Sequence, residues 1–280
     1  MEIKKERYKF LLILSFIVLL FFIFTYISSE MREDNIRIFK EKNTDRIPIL
    51  AFHRLVTDEI KKKVYFDNRW VGSIKVFSRM MKWLYANHYN TISTEEFYKW
   101  YKGEVEYNPR TILITFDDGY YDEYYLAYPI LKKYNFKATS FLIGCKIKKK
   151  TPNFNKNGKG FIGEDVIEKI RKIYPNIEFQ SHSYNLHYKK KYMAIIHNMT
   201  MKELKNDTLA NSRFHFTTMA YPFGAYNKKI IDILKEEGYL CAFRFGPNGY
   251  ATRNSCQYSI PRIKLDGSAN INEMIKWVKF

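Results

Sequence analysis

The run Thr111-Ile112-Leu113-Ile114-Thr115-Phe116-Asp117-Asp118-Gly119 carries six strand-forming residues straight into two adjacent carboxylates and a glycine. A short apolar run of β-branched and aromatic residues, ended by a turn signal, reads as a buried strand. Two neighbouring carboxylates at its end are unfavourable unless one takes up a proton or a cation intervenes. A buried strand that delivers such a pair to a turn points to a metal or acid–base site, whereas Asp-Asp-Gly by itself is a common turn. His53, at another predicted strand end, and the segment His182-Ser183-Tyr184-Asn185-Leu186-His187 favour the site.

Outward from this run, strands and helices alternate. Upstream, Ile47-Pro48-Ile49-Leu50-Ala51-Phe52 reads as a strand ending at His53. Phe77, Met80, Met81 and Leu84 recur at helical spacing and predict a helix over 74–87. Ser93 and Glu96 form a capping box for a short helix through Trp100. Downstream come a helix over 121–134, a strand over 138–143, an exposed basic loop over 146–160, a helix over 164–173 and a strand over 177–181. Thr200 and Glu203 cap a helix to 212, a strand covers 217–221, and a helix over 227–237 stops at Gly238. Strands over 239–243 and 258–263 precede a last helix capped by Asn270 and Glu273. Strands separated by helices imply parallel βα units. Roughly seven units in one domain predict a closed or nearly closed, distorted (β/α) barrel. His53, Asp117, Asp118, His182 and His187 all follow predicted strands, and those strand ends converge on one face of such a barrel.

With 280 residues, 18% of them aromatic, the chain has material for one sizeable core. Residues 1–9 are a basic flank with Lys4, Lys5, Arg7 and Lys9, and Phe10 to Ser29 carries no charge. That apolar length matches a hydrocarbon core and predicts a transmembrane anchor over 10–29. A signal peptide cleaved near Tyr26-Ile27-Ser28-Ser29 is the alternative. Either way the flank is expected in the cytoplasm, and the remainder is expected outside the cell membrane. A charged linker is expected over 30–45 and a single folded domain over 46–280. Cys145, Cys241 and Cys256 are widely spaced and argue against a disulfide framework, so they are expected as small core residues. The net charge is +18, and removing the flank's four positive and two negative charges leaves +16 for the rest. Such a surface favours anionic neighbours. No nucleic-acid-binding motif accompanies it, and a monomer is expected.

Asp118, His182 and His187 together make a three-ligand set that leaves metal positions open. A zinc-like ion there would polarise a carbonyl and acidify water. Asp117 could then serve as general base and His53 as general acid toward a leaving amine. The same ligand set serves non-haem iron oxygenases. A glycosidase using Asp117 would leave the histidines without a role. Tyr120, directly after Asp-Asp-Gly, is the best placed of its neighbours to contact a sugar ring. Tyr121, Tyr124, Tyr125 and Tyr128 have helical spacing and are expected to pack. Trp70 lies in the loop after the first strand, as a second candidate platform.

Thr115-Phe116-Asp117-Asp118-Gly119 resembles the first motif of the polysaccharide deacetylase family (carbohydrate esterase family 4), and His182-Ser183 through His187 is similar to its second. The spacing of the two histidines resembles the circularly permuted branch that includes poly-β-1,6-N-acetylglucosamine deacetylases, whose catalytic histidine lies near the N-terminus. Phe52-His53-Arg54 matches that position. Ala220-Tyr221-Pro222-Phe223-Gly224 resembles the third motif and Ile260-Pro261-Arg262-Ile263 a late strand of that branch. The resemblance implies metal-dependent N-deacetylation of N-acetylglucosamine units in an extracellular polysaccharide. Asp118, His182 and His187 would hold the metal, expected to be zinc, with cobalt, nickel or iron as alternatives. Asp117 would be the base, His53 the acid, and the Phe223 N–H an oxyanion donor, with Tyr221, Tyr120 and Arg262 around the substrate. Ala220 stands where many members carry an arginine, and Arg262 is the candidate substitute. Asn185 stands where the branch often has aspartate, which predicts a weaker metal site. Peptidoglycan deacetylation and a non-catalytic, wall-glycan-binding barrel are the alternatives.

Overall fold

The strand expected from Thr111 forms as Thr111–Asp118, with every residue buried because both of its edges are paired. This computed structural model describes residues 14–26 and 43–279, apart from 157 and 266. The parallel strands are β1 (Ile49–Phe52), β2 (Asn90–Ile92), β3 (Thr111–Asp118), β4 (Ala138–Leu142), β5 (Ile177–Ser181), β6 (Thr218–Ala220), β7 (Cys241–Phe243) and β8 (Ile263–Lys264). Seven of them run in the order β7-β6-β5-β4-β3-β1-β8, and β2 pairs the start of β3. This is a half-barrel of seven parallel strands, consistent with the distorted (β/α) barrel expected. The segment 260–264 spans its opening, because Ile260 forms a parallel bridge with Phe243 while Ile263 pairs with Leu50.

The two-residue period of a strand sorts side chains between two compartments. Ile112, Ile114 and Phe116 of β3 join Leu50 and Phe52 in the layer shared with the helices. Leu113 joins Ile49, Phe141, Ala220 and Phe243 inside the barrel. Fully burying each such side chain contributes about 1.5–3 kcal/mol. Thr115 and Asp117 share Leu113's face, so the same alternation aims Asp117 inward. Helices cover the outside. Ile74–Ala86 buries Phe77, Met80, Met81 and Leu84, and both capping boxes, Ser93 with Glu96 and Thr200 with Glu203, form.

Several elements depart from expectation. Residues 258–262 are not a strand, since Pro261 has no N–H to give a ladder, and only Ile263–Lys264 pairs continuously. The helix over 121–134 is divided into a π-helical turn, Glu123–Ala127, and an α-helix, Tyr128–Lys133. Pro129 would crowd the carbonyl four residues back in a continuous α-helix. The widened turn lets the Tyr128 N–H reach Glu123 instead. A further helix, Asp58–Val64, rests on a Thr57 cap, acidic residues in its first turn and lysines in its last. It buries only Ile60 and so lacks the apolar periodicity that reveals a helix. Of the cysteines only Cys241 is a core residue; Cys256 is exposed, Cys145 is half-buried, and all three are free.

A compact unit starts at Thr44. Within the expected anchor, residues 14–26 are helical, and the rest of 10–29 lies outside the described residues, as do 30–42 of the expected linker. No helix among the described residues is long and apolar enough to cross a membrane.

Candidate active site

Asp117 points into the barrel at the C-terminal end of β3 and meets Arg262 from the segment that spans the opening. Arg262 Nη1 and Nη2 donate to Asp117 Oδ1 and Oδ2, each at 2.7 Å, and Nη1 also reaches Thr115 Oγ1 at 3.2 Å. Both partners of this forked pair are buried. Burial alone would raise the Asp117 pKa, but the guanidinium beside it, together with His182 and His53, outweighs burial and holds the carboxyl below its usual range.

Asp118 sits at φ 77° and Gly119 at φ 74°. Two left-handed residues in succession turn the Asp118 carboxylate away from its neighbour. Gly119 is needed there for space as well, since a Cβ would lie 2.5 Å from Leu142 Cδ2. Asp118 Oδ1 faces His187 Nε2 at 3.1 Å and His182 Nε2 at 3.4 Å. One ligand atom from each of the three residues lies within 4.8 Å of the others. His182 comes from the end of β5, and its Nδ1 is 2.8 Å from the Ala220 carbonyl. A carbonyl only accepts, so Nδ1 carries the proton and Nε2 presents a lone pair. A lone pair aimed at a buried carboxylate oxygen without a hydrogen-bond partner suits a cation between them. The donor set, two imidazoles and a carboxylate, therefore fits a divalent metal. Burial would lower the His187 pKa, and Asp118 reverses that and raises it.

His53 follows β1, and its Nε2 lies 3.8 Å from Asp117 Oδ2. Its ring packs against Trp70 and Phe245, at centroid distances of 4.9 and 5.2 Å. Burial lowers its pKa, and the neighbouring carboxylates only partly offset that. Phe223, at φ 58°, places its ring 4.5 Å from that of His187. The following Gly224 has φ 68°, and a Cβ there would lie 2.2 Å from the Phe245 carbonyl oxygen. Tyr120 stacks on Phe161 at the cleft wall. Tyr221 borders the same cleft, while its ring is buried and its hydroxyl donates to the Tyr258 carbonyl at 3.0 Å. His53, Trp70, Asp117, Asp118, Tyr120, His182, His187, Phe223 and Phe245 line an open cleft of about 270 Å³.

Comparison with known proteins matches residues 104–242 to the polysaccharide deacetylase family model. The chain belongs to the polysaccharide deacetylase family. Its members are hydrolases of the amide bonds of acetylated polysaccharides. The deacetylase is similar to the poly-β-1,6-N-acetyl-D-glucosamine N-deacetylase of Staphylococcus aureus, with 29% identity over 73% of this chain and 71% of that protein. It is also similar to YxkH of Bacillus subtilis, with 27% identity over 83% of this chain and 76% of that protein. Among solved structures, the Streptococcus pyogenes deacetylase PplD in complex with acetate shares the fold, with a TM-score of 0.69 and 20% identity. The match covers 85% of this chain and all of that one.

The loop that carries both histidines of the deacetylase is held by a residue the sequence did not single out. Asp207 accepts the backbone N–H groups of Tyr184 at 2.9 Å and Asn185 at 2.7 Å. It projects from the helix Met201–Ala210, whose buried face also holds Leu204 and Thr208. An acid at helical spacing from a buried leucine was the available signal. Asn185 turns its own side chain outward, where its Oδ1 accepts from Cys145 Sγ at 3.3 Å. Replacing Asp207 by alanine removes two charge-assisted bonds, each worth about 1.5–3 kcal/mol. The expected result is a loop that opens locally, measured as faster amide exchange at Tyr184 and Asn185 with the distant strands unaffected.

Proposed function

We propose that this deacetylase removes N-acetyl groups from N-acetylglucosamine units of a poly-β-1,6-N-acetylglucosamine-like extracellular polysaccharide, using a divalent metal, zinc by preference. We further propose that it works outside the cell, tethered by its apolar N-terminal segment. One observation carries the chemical reading: the ligand atoms of Asp118, His182 and His187 converge beside an arginine-paired carboxylate and a histidine in one cleft. The Staphylococcus aureus relative supports the substrate class.

A metal held by Asp118, His182 and His187 would supply Lewis acidity toward the acetyl group. Asp117, kept ionised by Arg262, accepts a proton from the attacking water. His53, whose Nε2 lies 3.8 Å from Asp117 Oδ2, is placed to carry a proton to the departing glucosamine nitrogen. The Phe223 N–H donates to the developing oxyanion, a type of contact worth about 2.7–4 kcal/mol. Water adds to the acetyl carbon, the C–N bond breaks, and acetate and a glucosamine amine leave. Trp70 and Tyr120 offer faces on which sugar rings can rest.

The test is acetate release by the full chain from poly-β-1,6-N-acetylglucosamine oligomers before and after chelation. The expected outcome is a loss of about 10²-fold or more, reversed by added zinc. Unchanged release from metal-free protein would remove the metal from the reading. Release from peptidoglycan strands but not from these oligomers would move the substrate to the cell wall. Bound glycan without release from any would favour a binding module.

A further inference from the structure

Arg54 is a buried guanidinium with no part in the chemistry above. It follows His53 directly in the chain. Its Nε donates to Oδ2 of Asp122, which is also buried, and its Nη1 donates to the Tyr65 hydroxyl at 2.6 Å. Its Nη2 donates to the Gly158 carbonyl. The backbone of Arg54 is held as well. The strand Arg54–Val56 pairs in parallel with Val71–Ser73, and Arg54 stands opposite Val71, the residue after Trp70. Trp70 in turn packs on His53.

As a source of stability the Arg54–Asp122 pair is incomplete. Asp122 Oδ1 is buried without a hydrogen-bond partner among the described residues. Asp122 also makes no side-chain cap on the π-helical turn that it precedes. A buried ion pair with unmet lone pairs recovers little of its desolvation cost, and an apolar pair of similar volume often leaves stability unchanged. What the pair does supply is geometry. Asp122 stands four residues after Asp118, and Arg54 one residue after His53, so the bond joins the chain leaving β3 to the chain leaving β1. A planar fork bonded in separate directions resists rotation in a way that a lysine ammonium does not. His53 Nε2 lies 3.8 Å from Asp117 Oδ2, and misplacing a reacting group by about 1 Å can cost 10²-fold in rate.

Building on the role proposed above for His53, we propose that Arg54 is a positioning residue that acts through it. Its ties to Asp122 and Tyr65 hold the end of β1 against the turn after β3 and so aim the His53 ring at the departing nitrogen. Such a role matters for a leaving group that needs a proton. An amide nitrogen must be protonated to leave as an amine, whereas nitrophenyl acetate releases a phenolate that departs without one.

The experiment compares the full, metal-loaded chain with Arg54→Lys, Arg54→Met, Arg54→Met combined with Asp122→Leu, and His53→Ala. For each, Tm is measured, with kcat on N-acetylglucosamine oligomers and on nitrophenyl acetate. Arg54→Met strands the Asp122 charge and should lower Tm by about 10 °C. The double variant removes both charges and should regain most of that loss. Both should still lower kcat on the amide by about 10- to 100-fold. The amide-to-ester ratio of kcat should fall with it, as it does in His53→Ala. Arg54→Lys keeps the charge without the fork, so its Tm should stay near that of the unaltered chain while its ratio falls several-fold. A structural role alone would lower both activities together and leave the ratio in place. An unmoved ratio in Arg54→Lys therefore overturns the inference, whether or not the double variant folds, and leaves the deacetylase reading standing. A ratio that falls in the Arg54 variants but not in His53→Ala also overturns it, because the effect then does not run through His53. No release from the oligomers by the unaltered chain overturns the substrate reading, and this inference with it.

Discussion

Asp117→Asn is expected to lower acetate release by about 10²- to 10⁴-fold while the protein still retains its metal. The amide keeps the shape of the carboxylate but cannot take a proton from water. It also turns an N–H₂ group toward a guanidinium that now finds one acceptor instead of two. Some loss of stability accompanies the loss of rate, so metal content by elemental analysis is the discriminating readout beside kcat. Asp118→Asn should show the converse, with metal lost on dialysis and activity lost with it. Asp117 and Asp118 sit side by side in the chain, yet β3 and the left-handed turn at Asp118 send them to different partners. An Asp117→Asn variant with full activity would remove Asp117 from the base role.

Arg262→Met is the second large effect. The guanidinium is fully buried, and its loss leaves a buried carboxylate without its counter-charge. Breaking one side of a buried pair costs about 3–5 kcal/mol, which for a domain of this size is about 10 °C in Tm. The pH dependence follows from the depressed Asp117 pKa. A carboxyl whose folded pKa is depressed contributes stability that is present above the unfolded pKa. That stability is lost as pH falls through the folded value. Without Arg262, burial dominates and raises the Asp117 pKa. The acidic limb of the kcat/KM profile should then move to higher pH, and the variant's remaining activity should be best recovered under alkaline conditions. Thermal unfolding and a pH–rate profile on the same preparation measure both effects. A variant with unchanged Tm and an unmoved acidic limb would show that Asp117 does not depend on Arg262.

The site was legible in the sequence to the extent that topology guarantees convergence. Asp117, Asp118 and His182 each lie at a strand's C-terminal end, and His53 follows one directly; in a parallel sheet those ends share a face. His187 could be grouped with them because a short loop separates it from His182. The local chemistry of the caps at Ser93 and Thr200 was equally readable, since a capping box is complete within four residues. What escaped was held by contacts between segments distant in sequence. Asp207 reaches the histidine loop across 22 residues, to Asn185, and its helical spacing from Leu204 marks it as buried without naming its partner. Tyr221 sits within a motif, but its hydroxyl was already taken by Tyr258, which only packing reveals. The helix Asp58–Val64 and the strand Asn90–Ile92 bury too few residues to generate a period. The π turn before Pro129 answers the crowding that this one ring would cause in a continuous α-helix.

The segment 260–264 that spans the barrel's opening also delivers Arg262 to Asp117. The three residues suited to hold a metal, the base and His53 all lie within the first 187 residues of the chain. The counter-charge for the base arrives only when nearly all of the chain is present and this last seam has docked between its two neighbouring strands. A chain truncated before Arg262 keeps Asp117, Asp118, His53, His182 and His187 and lacks the counter-charge paired with Asp117. On the proposed mechanism, the segment that bridges the barrel's opening would thus also ready the site for hydrolysis, with Arg262 as the hinge pin between the two.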